Sequence, residues 1–235
     1  MDINLFYTDH GKSEKLPPLV LLHGNGGNSS AFFYVVDHFT KTHRVITVDS
    51  RGHGRSPKGS APFTLAQFAE DLKEFLDEMG LKRVTLIGYS DGGNIAMIFA
   101  LKYPQYLSGM VLNGANMFPS GLEQKDLAWI KRTYRKATKR LSRHPEDMHA
   151  AETADLMRLM IAEPDINPQD LNEINVPVLV LVGSRDVIKP SHSRLIADSF
   201  PLGKLVTVQG GHGIVKTNSA DYNAVLEQFL EENNL

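Results

Sequence analysis

Six short apolar, largely β-branched runs constrain this chain more than any other feature. They lie at 19–22, 45–48, 84–87, 110–112, 178–182 and 205–208, and each ends in a glycine-rich or polar turn. Runs without polar alternation predict strands buried on both faces, as in a parallel sheet. Helical patterns separate them. Leu65, Phe68, Leu72, Phe75 and Leu76 repeat at helical spacing after Thr64 and Gln67, which read as a capping box, and Gly80 supplies the stop. Tyr222, Val225, Leu226, Phe229 and Leu230 mark a final helix. Strands alternating with helices specify an α/β fold, a three-layer α/β/α sandwich around a mostly parallel sheet with right-handed crossovers. Binding sites in such sheets lie at the carboxyl ends of the strands.

One stretch breaks the rhythm. From 117 to 175 the pattern is helical only, with Ile130, Tyr134, Ala137 and Leu141 on one face. The core is therefore expected at 1–116 and 176–235, with 117–175 inserted as a small helical cap over the carboxyl edge. Seven cations, from Lys131 to Arg143, cover the rest of that helix and read as a solvated face.

Composition narrows the function. A chain of 235 residues suffices for one domain with a substantial core. The net charge of −2 excludes the strong basic excess of a nucleic-acid binder. With no cysteine there is no disulfide and no thiolate metal site. The N-terminus carries no basic segment followed by an apolar one, and no apolar run approaches bilayer length. These features lead to the expectation of a cytoplasmic protein with no stable membrane association. They leave the oligomeric state open.

Gly88-Tyr89-Ser90-Asp91-Gly92 fits G-x-S-x-G, a weak signal by itself. Its setting, between a buried run and a helical pattern, is what a nucleophile elbow requires. A serine hydroxyl becomes a useful nucleophile only when a base removes its proton. His212 follows the last strand in Gly210-Gly211-His212-Gly213, and Asp186 follows the preceding strand in Gly183-Ser184-Arg185-Asp186. Ser90, Asp186 and His212 thus stand after three different strands and can meet at one edge as nucleophile, acid and base. The oxyanion donors are expected to be the N–H groups of Asp91 and of Asn25, in His23-Gly24-Asn25-Gly26-Gly27. Asn25 and Tyr89 are the expected substrate contacts.

The segments HGNGG, VDSRGHGRS, GYSDGG, PVLVLVGSRD and GGHG, in that order, resemble the α/β-hydrolase superfamily across nearly the whole chain. The resemblance is to its serine esterases and lipases with a small helical cap. It implies the triad of Ser90, Asp186 and His212 and an eight-stranded sheet or a variant of it. The first apolar run begins so early that the sheet is expected to be abbreviated at that edge. Enzymes of this kind that open epoxides or haloalkanes place Asp where Ser90 stands. Here the implied reaction is hydrolysis of small to medium carboxylic esters through an acyl-enzyme, without cofactor or metal. Hydrolysis of C–C, thioester, amide or amino-acid-ester bonds, or slow-turnover ligand sensing, remain open on the same scaffold. GYSDGG is also similar to some amino-acid-ester hydrolases, which would assign the Asp91 side chain to cationic substrates. His23 is expected to brace the oxyanion loop, and Asp49, Arg51 and His53 to form a turn packed beside the site.

Overall fold

The computed structural model describes residues 2–11 and 15–235. In chain order its elements are β1 (Tyr7–His10), β2 (Leu19–Leu22), α1 (Phe33–Phe39), β3 (Val45–Val48), α2 (Leu65–Glu78), β4 (Val84–Tyr89), α3 (Asp91–Lys102) and β5 (Leu107–Asn113). There follow α4 (Gln124–Leu141), α5 (Met148–Ala162), β6 (Val178–Gly183), α6 (Pro190–Asp198), β7 (Gly203–Val208), α7 (Ile214–Thr217) and α8 (Ser219–Asn233). The strands form one sheet in the order β1-β3-β2-β4-β5-β6-β7. Every neighbouring pair is parallel except β1 with β3.

In β2 to β6 the apolar runs are continuous because both sheet faces are covered. The run at 205–208 lies instead in the edge strand β7, whose residues are mostly exposed or half-buried. Val20, Leu22, Leu86, Leu112 and Val180 point into a core shared with α2, α3 and α6. Their neighbours Leu19, Leu21, Ile87, Val111 and Leu181 point the other way, into a core closed by α1, α7 and α8. Successive strand residues alternate faces, so a strand buried on both sides must be apolar at every position.

Among the described residues the sheet has seven strands and is abbreviated at its N-terminal edge, where β1 is antiparallel. That strand, β1, escapes sequence reading because Tyr7, Asp9 and His10 are exposed and its pattern is polar. It is joined to β3 by side chains as well as backbone, through a 2.7 Å hydrogen bond between Thr8 Oγ1 and Thr47 Oγ1. The capping box of α2 is half formed. Thr64 Oγ1 accepts the Gln67 N–H at 3.1 Å, but the Gln67 amide donates to Asp71 Oδ1 instead of returning to Thr64. The Thr64 N–H is already bonded to the Pro62 carbonyl, which removes the need for the reciprocal bond.

Between β5 and β6 the chain leaves the sheet and forms α4 and α5, which pack on each other. Ile130 and Ala137 are buried, whereas Lys131, Arg132, Arg135, Lys136, Lys139, Arg140 and Arg143 are all exposed. Among the described residues no helix is long and apolar enough to cross a membrane.

Candidate active site

The turn after β4 is shaped by crowding. Ser90 has φ 55° and ψ −120°, a conformation that L residues seldom adopt and that costs on the order of 1–3 kcal/mol. Glycine is obligatory on both sides. A Cβ on Gly88 would lie 2.3 Å from the Gly92 carbonyl oxygen, and one on Gly92 would lie 1.9 Å from that of Leu22. The Ser90 N–H is anchored to the Asn113 carbonyl at 2.7 Å, tying the turn to β5. The hydroxyl is thereby held out of the sheet at the first turn of α3, whose N-terminal N–H groups favour negative charge.

Three side chains from three loops meet there. The Ser90 hydroxyl donates to His212 Nε2 at 3.0 Å, and His212 Nδ1–H donates to Asp186 Oδ1 at 2.7 Å. Asp186 also accepts the backbone N–H groups of Ile188 at 3.1 Å and Gly183 at 3.4 Å. Burial pushes its carboxyl up, but the His212 contact and these N–H donors outweigh burial and hold it below the usual carboxylate range. The acid is therefore ionised at neutral pH, and it fixes the ring with Nε2 free to accept.

The two expected oxyanion residues are also brought together. Among the described residues, neither the Asn25 nor the Asp91 N–H donates to a protein acceptor. Their side chains are bonded to each other, Asn25 Nδ2 donating to Asp91 Oδ2 at 2.9 Å. Asp91 Oδ1 accepts Asn94 Nδ2 at 3.1 Å, and Asn94 is joined to Asn116 by bonds of 3.1 and 2.8 Å. Burial raises the Asp91 carboxyl even though these amides donate to it.

His23 occupies the bracing position. Its Nδ1–H donates to the Gly24 carbonyl at 2.8 Å, and its Nε2 accepts the Ser50 N–H at 3.0 Å. Burial pushes its pKa down to about 4, so the ring stays neutral and both bonds persist. Asp49 spends its carboxylate on the N–H groups of Ser29 and Arg55. Arg51 lies fully buried between Asp71 and Asp2, with 2.7 Å contacts to each. Neither partner was legible in the sequence, since both lie far along the chain. His53 Nδ1–H donates to the Arg51 carbonyl at 2.9 Å. These residues form the packed turn expected of them.

The sequence matches the family described as alpha/beta hydrolase fold over residues 17–160. The chain belongs to the α/β-hydrolase family. A protein named carbamate hydrolase RutD, from Caulobacter sp. (strain K31), is 29% identical, covering 96% of this chain and 95% of its own. Among solved structures, a carboxylesterase of Nitrososphaera gargenis superposes with a TM-score of 0.81 at 24% identity, covering 99% of this chain and 96% of that one. The meta-cleavage product hydrolase of Pseudomonas fluorescens IP01 gives 0.80 at 18% identity, covering 98% and 95%.

In this α/β-hydrolase, Ser90 and His212 open into a cavity of about 380 Å³. Tyr89 lines it with its ring 5.2 Å from that of His212, and Asn25 lines it as well. The far wall comes from α4 and α5: Trp129, Ile130, Leu156, Met157 and Met160. None of these stands out in the sequence as a site residue, because ordinary core spacing and pocket-lining spacing look alike along a helix. Three carboxylates also face the cavity, Asp91, Asp126 and Glu163, while no Lys or Arg among the described residues lines it. Glu163 is raised by burial, and the nearby Asp91 charge adds to the shift. A larger groove of about 710 Å³ runs beside β1 between Phe33 and Arg55, but Ser90, Asp186 and His212 do not line it.

Proposed function

We propose that this α/β-hydrolase cleaves small to medium carboxylic esters through an acyl-enzyme on Ser90. The observation that carries the reading is the Ser90–His212–Asp186 chain of hydrogen bonds opening into a cavity walled largely by apolar side chains. His212 Nε2 takes the hydroxyl proton as Ser90 Oγ attacks the carbonyl carbon. The negative charge that develops on the carbonyl oxygen is received by the N–H groups of Asn25 and Asp91. Collapse of the tetrahedral intermediate expels the alcohol, to which His212 returns the proton. Water then repeats the sequence on the acyl-enzyme and releases the acid. Each cycle consumes one ester and one water, releases one alcohol and one acid, and needs no cofactor.

Residues 117–175 act in this reading as a cap that sizes the acyl group. The cavity is at the small end of the usual range for ligand pockets, which suits short to medium chains. Its three carboxylates and lack of cations support neutral or cationic substrates over anionic ones. Carbamates are the second reading, supported by the full-length likeness to the protein named carbamate hydrolase RutD. The same attack on a carbonyl carbon would serve them.

Turnover of p-nitrophenyl esters from acetate to laurate, and of a matched aryl carbamate, tests the assignment. Hydrolysis of short and medium esters, lost in Ser90→Ala, is the expected result. Carbamate turnover with esters untouched would replace the first reading with the second. Inertness towards both would overturn the assignment.

A further inference from the structure

A second cavity of about 400 Å³ lies on the other side of α5, and the two cavities share one lining residue, Leu156. Helical rotation explains the placement. Met157 and Met160 project to one side of Leu156 and line the chamber that holds Ser90, while Glu152 and Asp155 project to the other and line the outer chamber. Leu156 is held where it stands. Its carbonyl accepts Asn25 Nδ2 at 3.2 Å, and its Cδ1 lies 3.6 Å from where a Cβ on Gly26 would be. Apolar surface in the outer chamber comes from Leu156, the exposed Met148 and the accessible edge of Phe63, whose ring stacks on His53 and carries the Lys58 ammonium 5.2 Å from its centroid. The chamber rim carries the Lys58–Asp155 ion pair and opens to solvent.

We infer that Leu156 is a specificity-determining partition, and that the outer chamber is a subsite for the distal end of longer alkyl chains. This inference rests on the ester-hydrolase reading for its substrate, though not for its geometry. Short acyl groups end against the Leu156 side chain in the inner chamber. A longer chain must displace that side chain, then pass between Met148 and the edge of Phe63 with its end near the Lys58–Asp155 ion pair. Chain length is thus limited by one leucine rather than by the wall as a whole.

The test compares the wild-type protein with Leu156→Ala and Leu156→Met across p-nitrophenyl esters from acetate to laurate. Alanine keeps the helix and removes the partition, whereas methionine conserves volume. In Leu156→Ala, kcat/KM for decanoate and laurate is expected to rise roughly tenfold relative to butyrate, from burial of two or more extra methylenes. Leu156→Met is expected to keep the wild-type profile. An identical profile in wild type and Leu156→Ala overturns the partition. A parallel measurement does not depend on ester chemistry: calorimetric binding of butanol, octanol and decanol in the Ser90→Ala background. Tighter decanol binding on adding Leu156→Ala, with butanol unchanged, supports the partition even if no ester is hydrolysed. Unchanged selectivity among the alkanols overturns it.

Discussion

The two walls of the Ser90 cavity are held by different forces. The wall formed by the carboxyl edge of the sheet is set by backbone: the elbow packs against Leu22 and Gly92, and His23 and Asp49 bond backbone groups of neighbouring loops. Its carboxylates are held by hydrogen bonds, Asp186 to His212 and Asp91 to the amides of Asn25 and Asn94, and Arg51 is paired with Asp71. The wall formed by α4 and α5 rests on a small apolar cluster of Leu122, Ile130, Met157 and Ile188, with Leu159 of α5 reaching into the main core. Few polar contacts tie it to the core, among them Asn25 to the Leu156 carbonyl and the Leu65 N–H to Glu163. Its ion pairs, such as Arg140–Asp147, are on the surface and add little stability. One wall fixes atoms for chemistry, and the other can be resized without disturbing them.

The sharpest way to break this contrast is at the sheet edge. Ser90→Ala is expected to lower kcat by a factor on the order of 10⁴ to 10⁶, with the fold retained in far-ultraviolet circular dichroism. A loss of less than tenfold in steady-state assays would show that the chemistry is not seated there.

Acid probes the sheet edge and the root of the α4–α5 segment next, because each relies on a buried histidine that must stay neutral. His23 Nε2 accepts the Ser50 N–H in the sheet-edge wall, and His192 Nε2 accepts the Met117 N–H where the chain departs towards α4. Burial brings both down to about 4 from an ordinary 6.5. The unfolded chain thus binds protons that the folded one refuses. Their contribution is complete above pH 6.5 and is lost as pH falls towards 4, by up to about 3 kcal/mol for each ring. Urea unfolding at stepped pH is expected to show this decline, with a shallower slope in His192→Asn. A flat profile from pH 7 to 4.5 would contradict it.

The side-chain link between Asn25 and Asp91, the proposed oxyanion residues, should matter less. Asp91→Ala frees Asn25 from its carboxylate partner and is expected to lower kcat roughly tenfold with KM little changed, since the N–H donors remain but lose their fixed aim. Asp91→Asn gives a finer reading. If the carboxylate selects cationic substrates, the ratio of amino-acyl to neutral ester turnover falls in this variant, and an unchanged ratio leaves Asp91 a positioning residue only. The smallest effect is expected on α4, where exchanging Lys131 and Arg135 for Ser should move stability by less than about 0.5 kcal/mol and leave kcat/KM for neutral esters unaltered.

The same contrast explains what could be read in the sequence. Strands β2 to β6 are legible because burial on both faces forces unbroken apolar runs, and Ser90, Asp186 and His212 each stand in the turn that follows a strand. Strand β1 is not, since an exposed edge strand needs no apolar pattern. Asp71 and Asp2, which neutralise Arg51, come from α2 and the N-terminus and are joined only by folding. Trp129, Leu156 and Met160 were silent because helix periodicity shows that a face is apolar but not what it faces.

The most direct test of the central claim is to trap the intermediate. The protein is mixed with p-nitrophenyl butyrate, quenched in acid within the first turnovers, digested and analysed by mass spectrometry. The account predicts one butyryl group on the peptide containing Ser90, absent from Ser90→Ala. Hydrolysis that proceeds at an undiminished rate in Ser90→Ala, with no acylated peptide, would contradict it.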